Sequence, residues 1–154
     1  MKKLLFVCFF LVSLLYFGIG IKADDLKIID ADTIILHGEK IRFSGIDAPE
    51  LKQTCKKEKQ TIFCGVLAKD FLTKKIADQI PTCIKYGKDI YNRFLAECFV
   101  SGESLSRFLV RSGFAFAFIK YSKKYVEDEM YAKQKKLGIW SMKFEYPWEF
   151  RSGT

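Results

Sequence analysis

The chain has 154 residues, 49% of them hydrophobic, with 26 basic side chains against 18 acidic and a formal net charge of +8. That size and apolar content suit one domain with one core, and no repeat, low-complexity run or linker marks a second. A basic surface fits a polyanion such as nucleic acid, but it equally fits plain solubility, so charge alone does not set the class of partner.

The first predicted element is a leader over residues 1–23. Lys2 and Lys3 precede an apolar run from Leu4 to Ile21, and Lys22 and Ala23 stand just before Asp24 and Asp25. A basic start, a hydrophobic middle and a small residue before a polar segment are the layout of a secretory signal, with cleavage expected after Ala23. The competing reading is an uncleaved anchor, because the apolar run has about the ~18 residues that span a bilayer. Cys8 lacks the small residues that precede a lipid-modified cysteine. Removing the leader takes away Lys2, Lys3 and Lys22 and no acid, so the charge falls from +8 to +5. The expectation is a monomer exported to the periplasm or beyond, without stable membrane association once the leader is gone.

Beyond the leader lie Cys55, Cys64, Cys83 and Cys98. In an exported chain an even number reads as disulfides, and four cysteines permit three pairings. The preferred pairing joins Cys55 to Cys64, closing a loop, and Cys83 to Cys98, joining two strands. Zinc competes less well: there is no C-x-x-C pair and the one histidine is His37.

Residues 26–46 predict a hairpin. Its first strand is the isoleucine-rich run from Leu26 to Leu36, its turn lies at His37, Gly38 and Glu39, and its second strand alternates Ile41 and Phe43 with Arg42 and Ser44. Alternate strand residues share a face, so Asp30 and Asp32 are expected on one side, as are Arg42 and Ser44. Pro49 ends the second strand, and the lysine-rich stretch from Lys52 to Gln60 reads as a loop. A helix is predicted over Ile62 to Ala77, with Ala68, Leu72 and Ile76 on one stripe, and Pro81 stops it. Strands follow at Thr82 to Tyr86 and Arg93 to Val100, around a turn holding Gly87, Lys88, Asp89 and Asn92. Next comes a helix from Glu103 to Ser112, ended by Gly113, with Leu105, Phe108 and Leu109 on its buried side. The alternation of Phe114 to Phe118 predicts a strand whose rings pack in the core. The last helix, from about Lys124 to Leu137, has Glu127, Asp128 and Glu129 early and Lys133, Lys135 and Lys136 late, which complements its dipole, and Gly138 caps it. Five short strands with about three helices give an α+β domain on a small closed sheet.

Asp32, Asp47 and Glu50 fall near the ends of two neighbouring strands, where a hairpin brings them within a few ångströms. Like charges at ~4 Å repel by roughly 4 kcal/mol at an effective dielectric of about 20, so something positive should sit among them. A hard divalent cation such as calcium accepts such oxygen donors; surface ion pairs with lysines are the bland alternative. Arg42 enters the acid cluster along its strand, and Arg93 follows the turn "KDIYNR". A guanidinium presents two parallel donors that match phosphate oxygens. Two arginines, a metal and a carboxylate together compose a phosphodiester site, although either arginine by itself suits an ordinary ion pair.

The fragments "IIDADTIIL", "IRFSGIDAPE", "DIYNRFLAECF" and "KLGIW", in that order from about Leu26 to Trp140, resemble the ordered motifs of the thermonuclease family, the staphylococcal nuclease-like domains. The cysteines and the ending "YPWEFR" resemble an exported bacterial branch, in which nearby cysteine pairs are expected to be bridged. The resemblance implies an OB-fold five-stranded β-barrel and a calcium-dependent nuclease acting on DNA or RNA with low sequence specificity, leaving 3′-phosphate ends. It implies Asp32 and Asp47 as calcium carboxylates with the backbone carbonyl of Ala48, and Arg42, Glu50 and Arg93 as the catalytic trio. It also implies Tyr91 and Tyr121 as substrate contacts and Asp30 as a supporting acid. Ala31 stands where most members carry glycine, and the turn before Arg93 is shorter than in the best-known members. The rival within the same fold is an inactive nucleic-acid-binding module; a rival outside it is an envelope protein held by an uncleaved leader.

Overall fold

A computed structural model describes residues 25–153, and the predicted leader lies outside them. The chain runs through β1 (Leu26–Ile28), β2 (Thr33–Leu36), β3 (Glu39–Phe43), β4 (Ile46–Asp47), β5 (Thr54–Lys57), β6 (Gln60–Phe63) and α1 (Cys64–Ile76). It continues through β7 (Thr82–Lys88), β8 (Phe94–Val100), β9 (Glu103–Ser104), α2 (Leu105–Arg111), β10 (Phe116–Ala117), α3 (Val126–Gln134), a 3₁₀ turn (Gly138–Ser141) and α4 (Pro147–Ser152). The main sheet has the order β1-β2-β3-β8-β7, with β9 added to β8. All its pairs are antiparallel except β3 with β8. This is the five-stranded OB-type sheet of an α+β domain.

The stretch from Leu26 to Leu36 is two strands, not one. The backbone N–H groups of Ile29 and Asp30 both donate to the carbonyl of Thr33, and the Asp30 carboxylate accepts from the N–H of Asp32 at 3.0 Å. Such an aspartate-capped turn diverts the backbone from the ladder. Asp30 and Asp32 therefore sit on a turn, and their relation comes from that hydrogen bond instead of strand alternation. Ala31 is wholly buried in this turn without a positive φ. His37 and Gly38 connect β2 to β3, both with φ above zero, as a two-residue hairpin matching the sheet's twist demands.

The predicted loop from Lys52 to Gln60 is instead the hairpin β5–β6, turned at Glu58 with φ 55°. Its residues lack apolar alternation because only Cys55 points into the core among the four of β5. The Cys55–Cys64 disulfide ties this hairpin to the start of α1, and the Cys83–Cys98 disulfide ties β7 to β8. Two of the residues assigned to the helix from Ile62 belong to β6, so α1 begins at Cys64. The predicted strand from Phe114 to Phe118 pairs only at Phe116 and Ala117, opposite Asp47 and Ile46.

The main core joins Ile34, Ile41 and Phe43 of the sheet with Leu72 and Ile76 of α1 and Leu105 and Leu109 of α2. Burying each such side chain contributes about 1.5–3 kcal/mol. A second apolar cluster packs Phe116 and Ile139 against Trp140, Phe144, Tyr146 and Trp148. It receives the C-terminal segment, whose helix α4 was not anticipated. Tyr146 caps α4, with Pro147 at its first turn and the Glu149 carboxylate accepting from the N–H of Tyr146 at 3.1 Å.

A candidate active site beside the central strand

Arg42 leaves β3 opposite Thr33 of β2 and Leu95 of β8. Its guanidinium bridges two buried carboxylates, donating from Nη1 to Asp32 Oδ1 at 2.5 Å and from Nη2 to Asp47 Oδ1 at 2.8 Å. Asp32 comes from the turn before β2, and its second oxygen accepts from the N–H of Ala48 at 3.0 Å. That bond joins two segments sixteen residues apart; Asp32 is 3% exposed and Asp47 is not exposed at all.

Glu50 lies at the rim, three residues past Asp47. Its N–H donates to the side-chain oxygen of Gln53, and its carbonyl accepts from the N–H of Gln53 at 2.8 Å. Helix α1 crosses so close to this segment that a Cβ on Gly65 would lie 1.9 Å from the Glu50 carbonyl oxygen, so only glycine fits there. Gln53 is 1% exposed and also donates to the carbonyl of Glu145 at 2.6 Å, tying the Glu50 segment to the C-terminal one.

The positive charge that three clustered acids require comes from two arginines, and the second was not foreseen. Arg151, on α4, donates from Nη2 to Asp47 Oδ2 at 2.7 Å and from Nη1 to Glu50 Oε1 at 2.8 Å and Asp47 Oδ1 at 3.2 Å. No local signal links it to Asp47, from which 104 residues separate it. The proline and glutamate at the start of "YPWEFR" signal a helix start, but nothing in the spacing says where that helix docks.

Arg93 directly precedes β8, on the same side as Leu95 and hence as Arg42 by alternation. Its guanidinium is held within its own turn: Asp89 accepts from Arg93 Nε at 2.7 Å, from the Arg93 N–H at 3.0 Å and from the Tyr91 N–H at 2.9 Å. Tyr91 is 73% exposed with the Arg93 guanidinium 5.3 Å over its ring. Tyr121 is equally exposed, 5.2 Å from the ring of Phe118. The structure thus brings Asp30, Asp32, Arg42, Asp47, Ala48 and Glu50 together, while Arg93 is paired outside the carboxylate cluster.

Charge in the cluster is unbalanced. Asp30, Asp32, Asp47 and Glu50 face two guanidinium groups. Burial pushes the Asp47 carboxyl above its ordinary range, and Arg151 and Arg42 do not fully reverse this. Burial and the charge of Asp32 push Asp30 up to about 6. Arg42 and Arg151 are both raised in pKa, their burial outweighed by the acids they touch.

A small OB-type barrel with carboxylates and arginines converging beside its central strand β3 is the build of a nuclease-type hydrolase. The chain belongs to the staphylococcal nuclease homologue family, whose model matches residues 40–142. It is 33% identical over 131 residues to the succinoglycan biosynthesis protein ExoI of Rhizobium meliloti, covering 82% of this chain and 69% of that protein. It is 31% identical over 115 residues to the staphylococcal-like nuclease CAN1 of Arabidopsis thaliana and 32% identical over 148 residues to endonuclease YhcR of Bacillus subtilis. Those matches cover 73% and 82% of this chain, and the chain spans 33% and 12% of those two longer proteins.

Proposed function

We propose that this chain is an exported, calcium-dependent nuclease that hydrolyses phosphodiester bonds of DNA or RNA with low sequence specificity. The observation that carries the reading is the Arg42 bridge: one guanidinium, 17% exposed at its side chain, held between Asp32 and Asp47 with Glu50 at the adjoining rim. Export is supported by the leader pattern and by two disulfides, which persist in oxidising compartments. No helix among the described residues is long and apolar enough to cross a membrane.

The donor chemistry fits a hard cation. The two aspartates and the Ala48 carbonyl supply oxygen only, and the acids outnumber the guanidinium groups beside them. Among the described residues no cluster of three His, Cys, Asp or Glu groups poised for a metal is formed, so water and substrate oxygens would complete the set. When bound, calcium supplies charge that offsets the charge developing on the phosphoryl oxygens.

The residues divide the remaining work. Arg42 and Arg93 hold the phosphate through paired donors whose charge persists at any working pH. For Arg93 this requires swinging from Asp89 toward the phosphate, and for Arg42 turning donors away from Asp32 and Asp47. Glu50 orients the attacking water and accepts its proton. Asp30, bonded to the N–H of Asp32, keeps that acid in place. Tyr91 and Tyr121 offer exposed rings to the bases or sugars, and Lys52, Lys56 and Lys57, all exposed, add a salt-sensitive attraction to the backbone.

The test is cleavage of denatured DNA with calcium or with chelator, for wild type and Arg42→Ala. Removing one preorganised donor of this kind typically costs ~10² to 10³ in rate. Equal cleavage by the variant contradicts the assignment, and binding without cleavage in the wild type establishes the inactive-module alternative.

A further inference from the structure

Arg151 reaches the carboxylates from the C-terminal helix α4. The C-terminal segment first bridges to β5, where Lys56 and Lys143 exchange backbone hydrogen bonds at 2.8 Å, and then takes the Gln53 bond at Glu145. Trp148 stacks on Tyr146 at 4.5 Å and on Phe118 at 5.9 Å. These contacts place α4 so that Arg151 spans Asp47 and Glu50 with three hydrogen bonds. Helix α4 lies beyond residues 40–142, the stretch that the family model matches.

The two guanidinium groups on Asp47 differ in a way that decides which of them yields. Arg42 is 17% exposed and spans two buried aspartates, Asp32 and Asp47. Arg151 is 41% exposed, and its second partner Glu50 is 40% exposed. Asp47 Oδ2 is held by Arg151, and Oδ1 is shared between both arginines. A divalent cation taking oxygens of Asp47 would stand within a few ångströms of the Arg151 guanidinium, where like charges repel strongly.

We propose that Arg151 is a built-in counter-cation: it neutralises Asp47 and Glu50 in the calcium-free protein and must leave for calcium to enter. Its departure also frees Oε1 of Glu50, which it holds at 2.8 Å. One contact thus suppresses two parts of the machinery at once, and the affinity of the arginine for the acids sets the calcium level at which the enzyme switches on. This inference rests on the nuclease reading above.

The test is calorimetric titration of calcium into the purified, metal-free chain for wild type, Arg151→Gln, Arg151→Lys and Asp47→Asn, with thermal melts and a parallel cleavage assay. Arg151→Gln is expected to bind calcium about tenfold more tightly or better, equivalent to ~1.4 kcal/mol. Calcium should also raise its melting temperature by more than it raises that of wild type. Arg151→Lys, whose single ammonium lacks the fork that spans both acids, should fall between the two and serves if the glutamine variant does not fold. Asp47→Asn should lose calcium binding. Calcium-dependent cleavage by wild type, together with unchanged or weaker calcium affinity in the Arg151 variants, overturns the counter-cation alone. Absence of both calcium binding and cleavage from wild type and the Arg151 variants overturns it together with the nuclease reading.

Discussion

Two carboxylates of this molecule, Asp47 and Glu97, expose little surface, Asp47 being the more deeply buried, and their acidities move in opposite directions. Glu97, on β8, is 6% exposed. It accepts from the hydroxyls of Tyr86 and Tyr125 at 3.1 and 3.0 Å and pairs with Lys124. Burial alone would raise its pKa, but these donors together hold it below the ordinary carboxylate range. Asp47 touches two arginines and is raised nevertheless, because burial is joined by the charge of Asp32. One cluster is a single acid served by several donors; the other is a crowd of acids served by two cations. Unbalanced charge of the second kind is a mark of functional sites, where a ligand completes the balance, whereas the balanced cluster braces the sheet against the segment before α3.

Removing one negative charge from each cluster should break the comparison cleanly. Asp47→Asn is expected to lower cleavage ~10² to 10³-fold, the range seen when a preorganised electrostatic group is lost, while its melting temperature in chelator stays level or rises. A large loss of stability would show that Asp47 is structural.

The disulfides sharpen the same contrast. Opening Cys83–Cys98 by paired serine substitution loosens β7 against β8, where Tyr86 reaches Glu97, and a closed loop of fifteen residues is worth about 3 kcal/mol. Opening Cys55–Cys64 loosens the segment that positions Gln53 and Glu50, so its deficit should show in cleavage rate per folded molecule. Denaturant melts and active-fraction assays separate the two, and a reversed pattern refutes the division.

Stability should also depend on pH with opposite signs at the two places. Asp30 has a folded pKa of about 6 against 3.8 for the free side chain, so its deprotonation favours the unfolded chain. Metal-free protein should therefore lose stability as pH rises from about 4 to 6, on the order of 2 kcal/mol, and Asp30→Asn should flatten that slope. Glu97 has a folded pKa below its ordinary 4.5. Its contribution is present above that value and is lost as pH falls through the depressed one. Glu97→Gln should cost ~1 to 2 kcal/mol at neutral pH, moderated because Lys124 is half exposed, with cleavage by the folded fraction retained. Melts of each variant across pH 3–8 check both slopes.

Much of this was legible in local pattern. The stripe of Ala68, Leu72 and Ile76 placed α1, the Gly38 turn placed the first hairpin, and the approach of Asp32, Asp47 and Glu50 followed from strand ends. The demand for a positive charge among those acids was also legible, since Coulomb repulsion depends only on their being close. What local pattern mistook was the turn at Asp30–Asp32, where side-chain hydrogen bonding overrode an isoleucine-rich run, and the β5–β6 hairpin, whose register rests on a disulfide and a C-terminal bridge.

By itself the amino-acid order determined the inventory: which acids, arginines and rings exist, and which short elements carry them, because periodicity and turn chemistry act over a few residues. Tertiary structure alone decided the partners. Arg93 is held by Asp89, four residues away, while Arg151 reaches across 104 residues to Asp47. Such a contact is made when a core packs and a terminal helix docks on it, and no spacing along the chain encodes the distance across the folded surface.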